Sequence, residues 1–294
     1  MSKRVLGLWN MGEGSFHKLL SPEESKAIIR KALDAQITSF DTAFSYKNAD
    51  NYLSAVLKER NIKRDKIEII TKVMAVPTLE KKFETSLKRL NAEYVDALLL
   101  HWPSDNESVF SSLKKLEELK DKKKAIEIGV SNFRIELLKK TVNDFDISIH
   151  ERPLSLLWTK SWKEEKALNL KTIAYSPLAM GLLSKDRNSL EAIEDSRKNL
   201  EVYKASNFYP LVEFISQICD KYSTSRSELA LSWLISENPE YIVQGFSNPN
   251  QMNSKPISLK EEDIEKLWEY ASLIDAETKS DNIFSHSYLP REIS

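Results

Sequence analysis

Cysteine is almost absent from this chain: Cys219 is the only one in 294 residues. A lone cysteine excludes an intramolecular disulfide and suits a reducing compartment, so a cytoplasmic setting is expected. Its surroundings, FISQICDKY, read as a helix in which the thiol is a small core filler rather than a nucleophile. Glycine is scarce too, at six residues, and neither standard Gly-rich phosphate loop can be written from them. No apolar run approaches the roughly 20 residues that cross a bilayer. The opening residues, MSKRVLGLWN, carry neither the apolar core nor the cleavage site of a signal peptide and run straight into a strand-like pattern. With 43 Lys and Arg against 44 Asp and Glu, the formal net charge is −1, which leaves no electrostatic footprint for nucleic acid. The lysines at 120 and 122–124 fall at a predicted helix end, where cations suit the helix dipole. What remains is a soluble globular chain.

That chain alternates regularly. Strand candidates fall at 4–9, 37–43, 67–73, 94–102, 125–131, 146–151, 171–176 and 241–246. Amphipathic patterns separate them, such as SPEESKAIIRKALDA, where Ser21, Pro22 and Glu24 make a capping-box start. Eight strands alternating with helices favour a closed (β/α)8 barrel of the TIM type over an open sheet. We read residues 1–294 as a single barrel domain with a C-terminal helix and tail from about 257. The longest interval without a strand, 178–240, must hold a loop and at least two helices, and Asn238-Pro239 stops the second.

In such a barrel, functional groups gather at the carboxyl ends of the strands. The second candidate strand ends in FDTAFSY, giving Asp41 and, after a turn, Tyr46. The third ends on Lys72 and the fourth on His101. Together they have a legible chemistry. A phenol near pKa 10 is a poor acid at neutral pH. The Lys72 ammonium is expected to lower that pKa, with Asp41 holding the lysine in place and charged. His101 would donate to, and orient, a carbonyl oxygen beside the phenol. Such a set protonates an oxygen as charge develops on it, which is what hydride reduction of a carbonyl needs. Each residue alone has a plainer explanation. A buried Asp–Lys pair is often structural, a strand-end histidine can simply satisfy a backbone carbonyl, and Tyr46 can be a surface aromatic. The joint pattern carries the weight.

The stretches FDTAFSYKNAD, EIITKV, YVDALLLHWP, IGVSNF and IAYSPLAMGLLS resemble the successive signatures of the aldo-keto reductase family, in that family's order, over roughly residues 4 to 270. The resemblance implies a metal-free barrel that uses NADP(H), or alternatively NAD(H), to reduce an aldehyde or ketone. It implies Tyr46 as general acid, Asp41 and Lys72 as its tuning pair, and His101 as carbonyl orienter. Ser131 and Asn132 match positions that bond the nicotinamide carboxamide, and Tyr175 matches the aromatic that stacks on the nicotinamide. Ser176 and Leu178 match the pyrophosphate lining, and Trp9 and Trp102 the substrate-pocket wall. A small-molecule carbonyl substrate is therefore the expected partner, with no nucleic acid and no membrane, in a monomer or weak oligomer.

Three departures from the family pattern stand out. The sixth strand usually ends in a glutamine that completes the carboxamide clamp. Here Glu151 is the match by position, and a carboxylate can only accept from the amide nitrogen. His150 and Glu151 are adjacent in a strand and so point to opposite faces, which argues against a shared metal. After the last strand, Gly245, Asn248, Pro249 and Gln251 fit the adenosine-side motif. Its usual Glu-Asn pair is replaced by Ser254 and Lys255, and Lys255 takes the place of an arginine clamp for a 2′-phosphate. Finally, Gln36 stands where a glycine usually precedes the second strand. The altered clamps motivate an alternative, a barrel kept as a binding or regulatory subunit, which a large exposed apolar patch would favour. Specificity is expected in mouth loops at about 103–110 and 178–208 and in the tail after 276, where Phe284, His286 and Tyr288 are candidate lid residues.

Overall fold

The structure, a computed structural model, describes residues 2–12, 20–75, 77–103, 106–194 and 196–278. Eight strands among them close into one parallel barrel in chain order: β1 (Lys3–Gly7), β2 (Ser39–Asp41), β3 (Glu68–Val73), β4 (Val95–Leu100), β5 (Ala125–Ser131), β6 (Ile149–Pro153), β7 (Lys171–Tyr175) and β8 (Tyr241–Gln244). The β8 strand returns to pair with β1, Val5 opposite Val243. Around them run helices α1 (Pro22–Asp34), α2 (Ala49–Glu59), α3 (Leu79–Leu90), α4 (Asn106–Asp121) and α5 (Ile135–Asp144). The second half adds α6 (Trp162–Glu165), α7 (Arg187–Glu191), α8 (Glu201–Lys204), α9 (Phe208–Tyr222), α10 (Arg226–Ser236) and α11 (Glu261–Glu277).

Alternation along each strand sorts the core into layers. Val5, Ile70, Ala97, Leu99, Ile149, Ile173, Tyr241 and Val243 pack together as the barrel interior. Residues of the other parity, such as Phe40, Ile69, Leu98, Leu100, Ile128 and Val130, pack outward beneath the helices. The interior parity continues to the mouth: Ile70 leads to Lys72, Leu99 to His101, Ile149 to Glu151 and Ile173 to Tyr175. Polar groups thus reach one site because each stands two residues beyond an apolar plug.

The predicted start of α1 is present in full: Ser21 Oγ accepts from Glu24 N at 3.3 Å and Glu24 Oε2 accepts from Ser21 N at 2.8 Å. Such a cap stabilises its helix by about 1 kcal/mol. Ser225 and Glu228 make a second capping box at α10. The sixth strand differs from the prediction of 146–151: it begins at Ile149 and runs through Arg152 to Pro153. Ile147 N is turned back onto Phe145 O at 2.9 Å, so the approach is a turn. Proline is tolerated at the end of the strand, where its missing N–H costs least. Of the expected mouth loops, positions 104–105 and the tail with Phe284, His286 and Tyr288 lie outside the described residues.

Candidate active site

The carboxyl ends of the strands surround a cavity of about 930 Å³, near the upper end for enclosed ligand sites. At its floor three charged side chains are packed out of water. Lys72 Nζ lies 2.5 Å from Asp41 Oδ2 and 3.2 Å from Glu151 Oε1, and it donates to Thr42 O at 3.1 Å. The three side chains are 1%, 5% and 4% exposed, so these contacts are made with little solvent screening. Burial works against the Lys72 ammonium, but Asp41 and Glu151 outweigh it, and the lysine pKa is raised. Burial raises Asp41, against the pull of Lys72. Glu151 is pushed up to about 8, first by burial and then by Asp41, with Lys72 pulling the other way. Two carboxyls facing one ammonium hold protons more tightly than either would alone.

Tyr46 ends the turn after β2, its N–H bonded to Ala43 O at 2.9 Å. Gly12 fixes this turn from the other side: a Cβ there would meet Tyr46 O at 2.2 Å, so only glycine allows the approach. The Tyr46 ring has Lys72 Nζ 5.5 Å from its centroid and the His101 ring edge-on at 5.8 Å. Lys72 lowers the phenol pKa, as expected from the sequence, yet the net shift is upward. Burial raises it, Asp41 and Glu151 add to the rise, and Lys72 only partly offsets them. The phenol is therefore firmly protonated. Burial, and then Lys72, drive the His101 pKa well down, so that ring is neutral. A neutral imidazole beside a protonated phenol presents proton donors without net charge.

Asn132 ties the strand ends together. It sits at φ 65°, in the left-handed region that asparagine tolerates. Its Nδ2 donates to His101 O and to Ser131 Oγ, both at 3.0 Å, its Oδ1 accepts from Tyr175 OH at 2.6 Å, and its N–H donates to Glu151 O at 2.9 Å. The turn after β7 is tight, with Ser176, Ala179, Met180 and Gly181 all at positive φ. Arg197 Nη1 donates to Met180 O at 3.0 Å and so anchors that turn.

Of the residues expected in the site, the cavity brings together Trp9, Asp41, Tyr46, His101, Trp102, Ser131 and Asn132. From the later strands come Glu151, Tyr175, Ser176, Leu178, Gly245 and Gln251. Lys72 lies behind this wall, touching it through Asp41 and Glu151. Asn248 and Gln251 cap the short helix Pro249–Asn253: Asn248 Oδ1 accepts from Asn250 N, and Gln251 Oε1 from Ser247 N at 2.7 Å. Lys255 is exposed and is not in the cavity wall, and its backbone N donates to Glu228 Oε1 at 2.9 Å. Two cations that sequence reasoning missed, Lys185 and Arg197, do line the cavity. They come from the long interval after β7, where only the lengthened loop could have signalled them. Among the described residues no group of three or more His, Cys, Asp or Glu is placed to hold a metal.

The model of the aldo/keto reductase family matches residues 5–267. The chain belongs to that family. It is 27% identical over 287 residues to an L-glyceraldehyde 3-phosphate reductase of Escherichia coli O157:H7, covering 84% of this chain and 81% of the relative. Glyoxal reductase of Bacillus subtilis (strain 168) is 25% identical over 267 residues, covering 87% and 86%. Among solved structures, a glycerol dehydrogenase from Gluconobacter oxydans superposes with a TM-score of 0.79 at 22% identity, covering 96% of this chain and 95% of the other. An aldo/keto reductase from Klebsiella pneumoniae in complex with NADP and acetate gives 0.71 at 21%, covering 96% and 94%. These two likenesses show the fold. Within this family member, the Glu151 contact to Lys72 adds a second buried carboxylate to the floor of the site.

Proposed function

We propose that this aldo/keto reductase reduces an aldehyde or ketone with NAD(P)H, Tyr46 delivering the proton to the carbonyl oxygen. The observation that carries the reading is the joint placement of a protonated phenol, a neutral imidazole and a buried Asp–Lys pair at the floor of one cavity. When bound, the dinucleotide supplies the hydride. His101 holds the substrate oxygen through its neutral ring, Tyr46 gives it a proton, and Lys72 sets the field in which the phenol gives that proton up. Lys72 in turn is held by Asp41 and by Thr42 O.

The residues present suit such a dinucleotide. Glu151 belongs to the cavity wall, where its carboxyl stands in place of a side-chain amide as the acceptor for an amide N–H. Ser131, Asn132 and Tyr175 flank it. Lys185 and Arg197 supply positive charge for phosphates, a role in which arginine's planar fork is favoured. These two, rather than Lys255, are the cations we assign to the phosphate end, and a 2′-phosphate would make NADP(H) the preferred form. The alternative of a purely regulatory barrel finds little support. The exposed large apolar side chains among the described residues are Ile126 in β5 and Leu273 in α11, on separate elements.

The test is a titration of the protein with NADPH and NADH, followed by tryptophan fluorescence, together with turnover of a small aldehyde. Saturable binding and a Tyr46→Phe variant that binds as before but turns over about 10²–10⁴-fold more slowly are expected. Unchanged turnover in that variant would remove Tyr46 from its role.

A further inference from the structure

Glu151 has a place in the site that the proton-donor scheme leaves unused. One carboxyl oxygen meets Lys72 Nζ at 3.2 Å, the carboxyl of Asp41 lies beside it on the same ammonium, and the side chain belongs to the cavity wall. Asp41 from β2, Tyr46 from the turn after β2 and Lys72 from β3 interact with its charge, and His101 beyond β4 and Tyr175 from β7 line the same cavity. Tyr175 OH is committed to Asn132, and His101 is neutral. Its neighbours in sequence, His150 and Arg152, point to the other face of β6 and are bound to Glu165. One ammonium thus faces two carboxyls. Fully ionised, this floor carries one negative charge in excess where water is excluded, a state that is costly unless something neutralises it. A retained proton does so, and so does a cation arriving from the cavity.

We propose that Glu151 makes this site discriminate between the two redox forms of its dinucleotide, favouring the oxidised, cationic nicotinamide, whose binding releases the proton otherwise shared by Asp41 and Glu151. The inference rests on the dinucleotide reading above. The oxidised nicotinamide ring carries one positive charge and the reduced ring none, while the phosphates and adenosine are the same in both. A carboxylate on the wall separates the forms by that charge alone, and a glutamine in its place keeps the size and hydrogen-bonding capacity but loses the charge. The protons balance simply. The reduced form binds with the carboxyl pair keeping its one shared proton, and the oxidised form binds with that proton given up to solvent. Burial and Asp41 set the carboxyl of Glu151 near 8, so the exchange falls in the neutral to alkaline range. The preference for the oxidised form therefore grows with pH, and with it the tendency of the protein to run in the alcohol-oxidising direction.

The experiment measures dissociation constants of oxidised and reduced NADP between pH 6 and pH 9, for the full chain and for Glu151→Gln. The ratio of reduced to oxidised constants should rise by up to about tenfold per pH unit below pH 8 in the wild type, and stay flat in the variant. Calorimetry of the wild type in two buffers of different ionisation enthalpy should show proton release on binding the oxidised form only. A flat ratio in the wild type overturns the inference while leaving the dinucleotide reading intact, as does an equal slope in Glu151→Gln. No binding of either form overturns both. Should Glu151→Gln fail to fold, the buffer dependence of the wild-type heats decides alone.

Discussion

Glu165 shows how strongly a single side chain of this barrel can tie stability to pH. It is buried beneath β6, accepts from Arg152 Nη1 at 2.6 Å and lies against His150 Nδ1. Burial would raise its pKa, but His150 and Arg152 outweigh burial and bring it from 4.5 to about 2. A carboxyl whose folded pKa lies below its unfolded value stabilises the fold above the unfolded pKa. That contribution is lost as pH falls through the folded one. The window here runs from about pH 4.5 down to about 2, and the contribution at neutral pH is about 3 kcal/mol. Glu165→Gln should therefore cost about that much in denaturant unfolding at pH 7 and much less at pH 2.5. Equal losses at both would show that its role is packing rather than charge. At this scale the sequence was most informative where residue type names a chemistry. Asp41, Lys72 and His101 could be picked out because each stands at or near the end of an apolar strand, and Tyr46 because it follows in the turn after Asp41. It was least informative about sign. Whether Lys72 or burial wins at Tyr46 depends on how deeply the ring is packed, which no local pattern of residues reveals.

Among elements, β6 is the one that charge organises on both faces. Glu151 points inward to Lys72, while His150 and Arg152 point outward to Glu165. A slip of one residue would exchange these sets and leave charges unpaired on each side, so its register is firmly specified. The helix ends tell a second story. Gln36 is at φ 59° just past α1, its N–H on Leu33 O at 2.9 Å, and Ile37 N on Ala32 O at 2.9 Å. Asn61 after α2 and Lys123 after α4 repeat the pattern. This is the helix-ending turn in which glycine is usual. The low glycine count thus has a structural counterpart, because the left-handed caps are built from Gln, Asn, Lys and Ser. Gln36→Gly should raise unfolding stability by about 0.5–1 kcal/mol, the left-handed penalty less the added chain entropy. A loss of stability on thermal unfolding would contradict this account. Strand and helix positions were legible from periodicity, whereas the start of β6 was placed too early because the chain still turns at Phe145–Ile147, and Ser148 is the first residue bonded to both neighbouring strands. Lys185 and Arg197 lie in the expected mouth loop 178–208, but nothing local marks which of its side chains turn into the cavity.

For the molecule as a whole, eight strands in helix-alternating order were enough to predict a barrel, because few other architectures bury such strands on both faces. What the pattern did not reveal is that the outer core is in two parts. One runs from Leu6 to Ile147 and takes in Phe246 and Met252, and the other from Leu154 to Ile274. The interior plug, with Val5, Leu99, Ile173 and Val243, touches strands of both parts, as does the Lys72–Glu151 pair at the floor of the site.

That division has a consequence for how the chain assembles. The proton-donor set, residues 41 to 101, belongs to the first packing unit, and Tyr175, Leu178 and the loop with Lys185 and Arg197 belong to the second. A folding intermediate with only the first unit consolidated would hold Tyr46, the proposed acid, without the second-unit residues that complete the cavity wall. A ligand lying along the cavity becomes a clasp across the two seams, β5–β6 and β8–β1. Native-state hydrogen exchange should resolve two opening units in the unliganded protein. Dinucleotide at 100 times its Kd should make both more protected by about 2.7 kcal/mol. Protection confined to the second unit would mean that the halves open independently even when the cavity is filled.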